Sequence, residues 1–508
     1  MNRGKWEIKT RMANRPNLLI FMTDQERADV VAPDHPCMTP NADRLAQDGI
    51  RFTQTYCPTA HCCPSRATFM TGLYPSRHGV FNNVRTRTAI NLGLRPGVVT
   101  FSELLREAGY DLTLCGKWHI SAEEDPADRG WREREVTGAS GAFHDRLIHA
   151  WQRGPRGVDS SGGERPRGHI QRPGWGDFVV YQTLPDGGPK GYEQDNDYRV
   201  VQAAIDTIHG AAAQASPWCL FVGPIGPHDP FKVPEKFVKL YDPAQIPLPR
   251  SYADTLEDKP RIYQRQRRQL WDQLSEAEVR ESIAHYYAYC TMEDALLGEV
   301  LDALDATGQA DNTLVIFLSD HGDYCGDHGL YLKGVPAFRQ AYHVPCIMRW
   351  PAGIRQPGRT VDHFVSLADF APTFLELAEI QATHTMTGQS LVPFLQDETP
   401  ATWRDALHTQ FNGVELYYTQ RSVTTKEYKY VYNGFDFDEL YDLRTDPDEL
   451  KNVAERSDYQ AIKEALVRKM WQFAAQEEDI IFNPYGTVAL APWGPAAGFT
   501  ETRGNGQA

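Results

Sequence analysis

Asp24-Gln25 and Asp320-His321 each close a continuous apolar run, Asn17 to Thr23 and Asn312 to Ser319, in which a hydroxyl residue stands immediately before the aspartate. Two carboxylates, an amide oxygen and an imidazole together make a donor set for a divalent cation; taken separately, each aspartate could simply cap a helix. The oxygen donors suit calcium, whereas His321 is a softer donor that accommodates manganese. A second grouping, Cys62-Cys63-Pro64-Ser65-Arg66-Ala67-Thr68-Phe69-Met70-Thr71-Gly72, sets a thiol, a proline, a hydroxyl and an arginine at fixed offsets on a loop entering a helix. Pro64 suits a first helical turn, where no backbone N–H is needed, and the free N–H groups at that end favour an anion. Arg66 then falls close to the thiol. Cys62 can also be read as a small buried hydrophobe, or with Cys57, His61 and Cys63 as part of a zinc cluster, although no second cluster of comparable spacing follows. A cysteine-dependent phosphatase loop is absent, because Thr68 and Phe69 stand where its arginine is required. Lys117-Trp118-His119 and Pro227-His228-Asp229-Pro230-Phe231 read, in isolation, as ordinary polar turns after apolar runs.

Something must bring these groups together. Continuous apolar strands are buried on both faces, which predicts an α/β fold: a large mixed, mostly parallel sheet flanked by helices. In such sheets ligands gather at the carboxyl ends of strands, so Asp24 and Asp320 are expected at one edge. Further strands are expected at Leu112 to Cys115, Trp218 to Val222 and Val344 to Arg349. Helices are expected at Pro40 to Asp48, Phe101 to Ala108, Tyr198 to His209 and Leu367 to Glu379. A long helix starts at Ser275, with Glu278 completing a capping box and Val279, Ile283, Tyr287, Cys290 and Leu297 on one face. From Ala122 to Gly191 the chain is rich in Gly, Pro and Arg with scattered aromatics such as Trp151 and Trp175, and reads as long loops over the site or as a solvated insertion. After Gln396 come short strands, Arg421 to Thr425 and Tyr428 to Tyr432, then a helix near Tyr459 to Phe473. The expected organisation is a catalytic domain over 1–396, a smaller C-terminal α+β domain over 397–479, and a loop-like tail over 480–508 whose Ile481, Phe482, Tyr485 and Trp493 should dock by packing.

At 508 residues a large core is assured, and one large domain plus a smaller one is expected. A net charge of −15 disfavours nucleic acid as a partner and obliges any anionic substrate to find a local positive pocket. The chain shows no apolar run of membrane-spanning length and no signal-peptide pattern over Met1 to Pro16, so a soluble, cytoplasmic protein is expected. Nine cysteines without paired spacing suit reduced thiols rather than a disulfide framework.

The block from Cys62 to Gly72 resembles the signature of the type I, formylglycine-dependent sulfatases of the alkaline phosphatase superfamily. Gly109-Tyr110-Asp111-Leu112-Thr113-Leu114-Cys115-Gly116-Lys117-Trp118-His119 is similar to the second signature of that family, and the resemblance continues in order from Asn17 to about Asn452. It implies an alkaline-phosphatase-like core and oxidation of Cys62 to formylglycine, whose hydrated aldehyde attacks sulfur through one hydroxyl and releases sulfate through the other. By the same resemblance Lys117 contacts the sulfate and the formylglycine, His119 serves in collapse of the sulfated intermediate, and Lys333 holds a sulfate oxygen with His328 behind it. His228 is then the general acid for the leaving group, and Arg66, Lys117 and Lys333 supply positive charge. The family's divalent metal is implied at Asp24, Gln25, the modified Cys62, Asp320 and His321, with calcium favoured and manganese or magnesium left open. Gln25 departs from the second aspartate of many members and lowers the charge of the site.

The implied reaction is hydrolysis of a sulfate monoester to an alcohol or phenol and inorganic sulfate. The resemblance leaves open a phosphonate monoester or phosphodiester hydrolase with the same site, while a non-catalytic anion-binding protein with an intact Cys62 thiol is the alternative of another class. Expected partners are a small anionic sulfate ester, a formylglycine-generating or equivalent maturation enzyme and further copies of the chain, with neither nucleic acid nor membrane. Whether the ester is an aryl sulfate, a sulfated sugar or choline sulfate rests with the variable loops.

Overall fold

The protein is described here by a computed structural model covering residues 15–86, 88–137, 165–172, 176–413, 417–434 and 436–499. Its centre is an eight-stranded sheet of β1 (Asn17–Thr23), β2 (Ile50–Tyr56), β3 (Asp111–Lys117), β4 (Arg132–Thr137), β5 (Trp218–Gly223), β6 (Thr313–Ser319), β7 (Cys346–Arg349) and β8 (Arg359–Ser366), in the order β8-β2-β7-β6-β1-β5-β3-β4. Within it β7 alone is antiparallel to its neighbours. The sheet is therefore the large, mostly parallel one that the apolar runs predict. β5 and β6 are buried along their whole length, as strands covered on both faces must be. At one edge β4 exposes Arg132, Glu133, Arg134 and Glu135, and that run of charge discourages a further strand from pairing there.

Helices α1 (Pro40–Gln47), α2 (Cys62–Thr71), α3 (Phe101–Glu107), α4 (Asn196–Ala211), α5 (Glu276–Ala306) and α6 (Phe370–Leu377) flank the sheet. α5 begins with the expected capping box: the Ser275 hydroxyl accepts from the Glu278 amide while the Glu278 carboxylate accepts from the Ser275 amide. Every residue of α2 is buried, so this helix has no polar face to orient it. Aromatic packing locks it instead, with Phe69 set against Phe101, Phe370 and Phe374 at ring-centroid distances of 5.8, 5.3 and 5.8 Å.

A second, antiparallel sheet follows the order β9 (Leu407–Phe411), β10 (Gln420–Thr424), β11 (Tyr428–Asn433) and β12 (Glu439–Asp442), and α7 (Gln460–Gln476) lies over it. Val423, Tyr430 and Leu440 of the sheet meet Leu466, Val467, Met470 and Trp471 of the helix. The tail, expected to be loop-like, forms a short helix α8 (Pro484–Ala489) and a 3₁₀ turn over Pro495–Gly498. It docks on α7 through Ile481 and Trp493, and the Trp471 indole N–H donates to the Trp493 carbonyl at 2.7 Å, but Phe482 and Tyr485, expected to dock as well, stay exposed. Trp151 and Trp175 lie outside the described residues. The described part of that region is more than loop: His169–Arg172 pairs with Gly176–Val179, and Tyr181–Leu184 pairs with Phe231–Pro234, just beyond His228. All nine cysteines are buried and unpaired. Among the described residues no helix is long and apolar enough to cross a membrane.

Candidate active site

The register of β1 against β6 builds the first half of the site. Thr23 pairs with Ser319 across the parallel ladder, so the next residues, Asp24 and Asp320, leave the sheet side by side. The turn that follows is tied across the strands: the Gln25 amide donates to Asp320 Oδ1 at 3.2 Å, and the Glu26 amide to Ser319 Oγ at 2.9 Å. Gln25 adopts a left-handed backbone, φ 71°, which tightens this turn. α2 supplies the second half. His61 is its N-cap, Cys62 its first residue and Pro64 sits in its first turn, while the Ser65 hydroxyl bonds to the Asp320 carbonyl.

Cys62 Sγ lies 3.1 Å from His321 Nε2 and 3.6 Å from Asp24 Oδ1. The His321 Nδ1–H donates to the Gly322 carbonyl at 2.9 Å, which leaves the Nε2 lone pair facing the aspartates and the thiol, the tautomer a metal-ligating imidazole requires. The ligating atoms of Asp24, Cys62, Asp320 and His321 all lie within 4.8 Å of one another. That span matches donors around one divalent cation with bonds of about 2.3–2.6 Å. The donor set of two carboxylates, an imidazole and Cys62 fits such an ion.

Charge around this cluster is dense and paired. Asp24 and Asp320 are fully buried, as is Arg66 apart from 1 % of its surface. Arg66 Nε donates to Asp320 Oδ2 at 2.7 Å and its Nη1 to the Lys117 carbonyl at 3.0 Å, so this guanidinium braces two elements at once. Lys117 Nζ pairs with Asp24 Oδ2. Burial alone would raise the Asp24 carboxyl, yet Lys117, His228 and Arg66 hold it well below the usual carboxylate range. The same exchange acts on Lys117: burial disfavours its charge, and Asp24 more than compensates, raising it. Burial, reinforced by Lys117, drives His119 well down, so its imidazole is neutral, and its Nδ1 has no hydrogen-bond partner.

On the open side Lys333 Nζ lies 2.7 Å from His228 Nε2, while His228 Nδ1 donates to the Asp229 carbonyl at 2.7 Å. Burial and Lys333 push the His228 imidazole down, but Asp229 and Asp24 outweigh them and its affinity for a proton is raised. The sequence-predicted residues Asp24, Gln25, Cys62, Arg66, Lys117, His119, His228, Asp320, His321 and Lys333 are thus brought together beyond the carboxyl ends of the strands. Gln25 takes its own position there, its amide donating to Asp323 and accepting from Lys333. His328 is elsewhere: its ring stacks on Phe338 at 3.6 Å and its Nδ1 bonds Asp254 Oδ2 at 2.7 Å.

Three participants have only a weak sequence signal. Asp323 anchors Gln25 and accepts from the Cys325 amide at 2.6 Å, and burial with Asp229 nearby pushes it up to about 7. It follows Asp320-His321-Gly322 directly, and that spacing could have raised it as a candidate. Asp229, second in its Pro-x-x-Pro frame, balances His228 and Lys333. His61 stacks on Phe411 at 5.4 Å, so the second sheet packs against the residue that precedes Cys62.

The model of the Sulfatase family matches residues 16–380, and that of the N-sulphoglucosamine sulphohydrolase C-terminal region matches residues 326–476. The chain is 28 % identical to an uncharacterized sulfatase, YidJ, of Escherichia coli K12, over 94 % of this chain and 90 % of the relative. It is 26 % identical to an arylsulfatase of Clostridium perfringens over 88 % and 91 % of the two chains. Among solved structures, a phosphonate monoester hydrolase of Agrobacterium radiobacter superposes with a TM-score of 0.73 at 27 % identity, covering 91 % of this chain and 96 % of the other. A parallel sheet that aligns two aspartates, a cysteine at a helix start between them and a family match across most of the chain lead to one conclusion: the protein belongs to the sulfatase family and is a sulfuric ester hydrolase of alkaline-phosphatase-like fold.

Proposed function

We propose that the enzyme hydrolyses small sulfate monoesters to an alcohol or phenol and inorganic sulfate, with a formylglycine derived from Cys62 as nucleophile. The observation that carries this reading is the position of Cys62 Sγ, between His321 and Asp24 and within the four-residue donor cluster. A thiol there offers a single nucleophilic atom and no second group for release, whereas a hydrated aldehyde on the same carbon offers one hydroxyl for attack and a second for release. Asp24, Asp320, His321 and the modified Cys62 would hold the divalent cation, with Gln25 beside them. When bound, calcium supplies Lewis-acid polarisation and favours the deprotonated nucleophile.

The protein's own groups divide the remaining work. Lys117 and Lys333 flank the pocket and stabilise oxygen charge as the S–O bond to the alcohol breaks, an effect strengthened by the low dielectric of a buried site. His228 gives its proton to the departing oxygen. Neutral His119 then takes the proton of the remaining hydroxyl as the carbonyl re-forms and the carbon–oxygen bond to sulfate breaks.

A second reading is favoured by the likeness to the phosphonate monoester hydrolase. Sulfate monoesters and phosphonate monoesters are both tetrahedral monoanions, so one positive pocket accommodates either. Peptide mass analysis of active protein should find Cys62 as the aldehyde and Cys63 as a thiol, and turnover on matched aryl sulfate and phenylphosphonate should favour the sulfate. Full activity in protein whose Cys62 is entirely thiol would falsify the mechanism. A preference for phenylphosphonate would keep the nucleophile and move the substrate class.

A further inference from the structure

Behind the site lies a buried carboxylate that the reaction does not use. Asp197 is the second residue of α4, with Asp195 as the N-cap accepting its amide at 2.7 Å. The Asp197 side chain turns away from its own helix and accepts two neighbouring amides of the segment after β5, Ile225 N at 2.8 Å and Gly226 N at 2.7 Å. The carbonyls of those same two residues are spent on the site. Ile225 O accepts the His228 amide at 3.1 Å, and Gly226 O accepts the Asp24 amide at 3.1 Å. One carboxylate therefore fixes a dipeptide that in turn fixes the backbone of both His228 and Asp24.

The other side of the dipeptide is closed. A Cβ on Gly226 would lie 2.1 Å from Glu293 Oε1 and 2.4 Å from Tyr289 Cε2, so the segment is pressed onto α5 with no room to shift. Glu293 is fully buried, and burial together with Asp197, Asp195 and Glu26 pushes its carboxyl well up, so it packs there as a neutral acid. Asp197 itself is 1 % exposed, and burial with Asp195 beside it raises it to about 6, which leaves it ionised at neutral pH with two amide donors for its charge.

We propose that Asp197 is a positioning residue for ester cleavage: through Ile225-Gly226 it holds His228 at the leaving group in register with Asp24. This rests on the reading of His228 as the general acid. Asp197→Asn keeps the volume but turns one acceptor into a donor aimed at an amide N–H, which releases the dipeptide. Displacing an acid by a fraction of its working distance costs rate only where a proton must be given.

The test is kcat and KM across a series of sulfate esters of rising leaving-group pKa for wild type, Asp197→Asn, His228→Ala and the double variant, with thermal unfolding to verify folding. Asp197→Asn should slow alkyl or sugar sulfates by about tenfold or more, and activated phenyl sulfate by less than about threefold, with KM little changed. Its leaving-group dependence should be steeper than wild type, and in the His228→Ala background it should add no further steepness. Gly226→Ala, which moves the same segment from the other side, should reproduce the pattern if Asp197→Asn folds poorly. An equal loss for every leaving group in Asp197→Asn or Gly226→Ala, or steepening that adds to that of His228→Ala, would overturn the proposal and reduce Asp197 to a support of the fold. A wild-type slope in His228→Ala would overturn the acid assignment itself, a failure visible in that single variant.

Discussion

Two fully buried aspartates at adjacent strand ends cannot stand without cations, and the site meets that demand with Lys117 on Asp24 and Arg66 on Asp320. A divalent ion would shift this balance: with the carboxylates committed to it, the ammonium of Lys117 is released toward an anionic substrate. Chelation should therefore abolish turnover, with calcium or manganese restoring it, and Asp24→Asn and Asp320→Asn should each weaken metal retention about tenfold or more, read by elemental analysis after dialysis. Full activity in verified metal-free protein would exclude this arrangement. At this scale the sequence was most legible where a residue type has one use in its setting, as with the aspartates that end apolar runs. Gln25 was less so. An amide has both a donor and an acceptor end, and only the fold shows that Asp323 takes the first and Lys333 the second.

Among the elements, α5 carries its own starting signal, and Glu278 does more than the local pattern states. Beyond the capping box it receives Arg165 on both oxygens, at 2.8 and 2.7 Å, and the Gly168 amide at 3.1 Å, so a helix terminus anchors a distant loop. Burial would raise this carboxyl, but Arg165 and the amides hold it down at about 2. A depressed folded value means the contribution is fully present above the unfolded value and is lost as pH falls from there toward 2. Glu278→Gln should thus cost about 2 kcal/mol at pH 7 by denaturant unfolding. The gap from wild type should narrow below about pH 4, as the wild-type carboxylate becomes protonated. A gap that stays constant to low pH would place the effect in shape rather than charge. The helix start was legible because a capping box is local; the Arg165 contact joins residues far apart and has no local signature. The strand positions followed from apolar runs in the same way, whereas β7's reversed direction did not, since burial on both faces looks alike in either direction.

Over the whole molecule the tail is divided in character. Trp493 and Ala497 pack on α7, while Ile480, Tyr485 and Val488 stay exposed at 59, 87 and 82 %. Ending the chain at Glu478 would leave the buried Trp471 indole without its acceptor, a cost of about 1–3 kcal/mol that should appear as a lower unfolding temperature. If the exposed face meets a second copy of the chain, as we expect, the truncated protein should also lose mass in solution; unchanged mass and stability would remove both roles from the tail. The central place of β1 bears on the order in which the protein is made. Its partners β5 and β6 place Cys219 and Leu314 on either side of Leu18, so the earliest of the described strands to be synthesised is among the last to be enclosed. At ordinary translation rates about 15–60 s separate the synthesis of Asp24 from that of Asp320. Throughout that interval the nascent chain needs protection from mispairing, and no fragment ending before β6 can assemble the pocket. It is also the time in which Cys62, 2 % exposed once folded, lies open to the enzyme that would oxidise it.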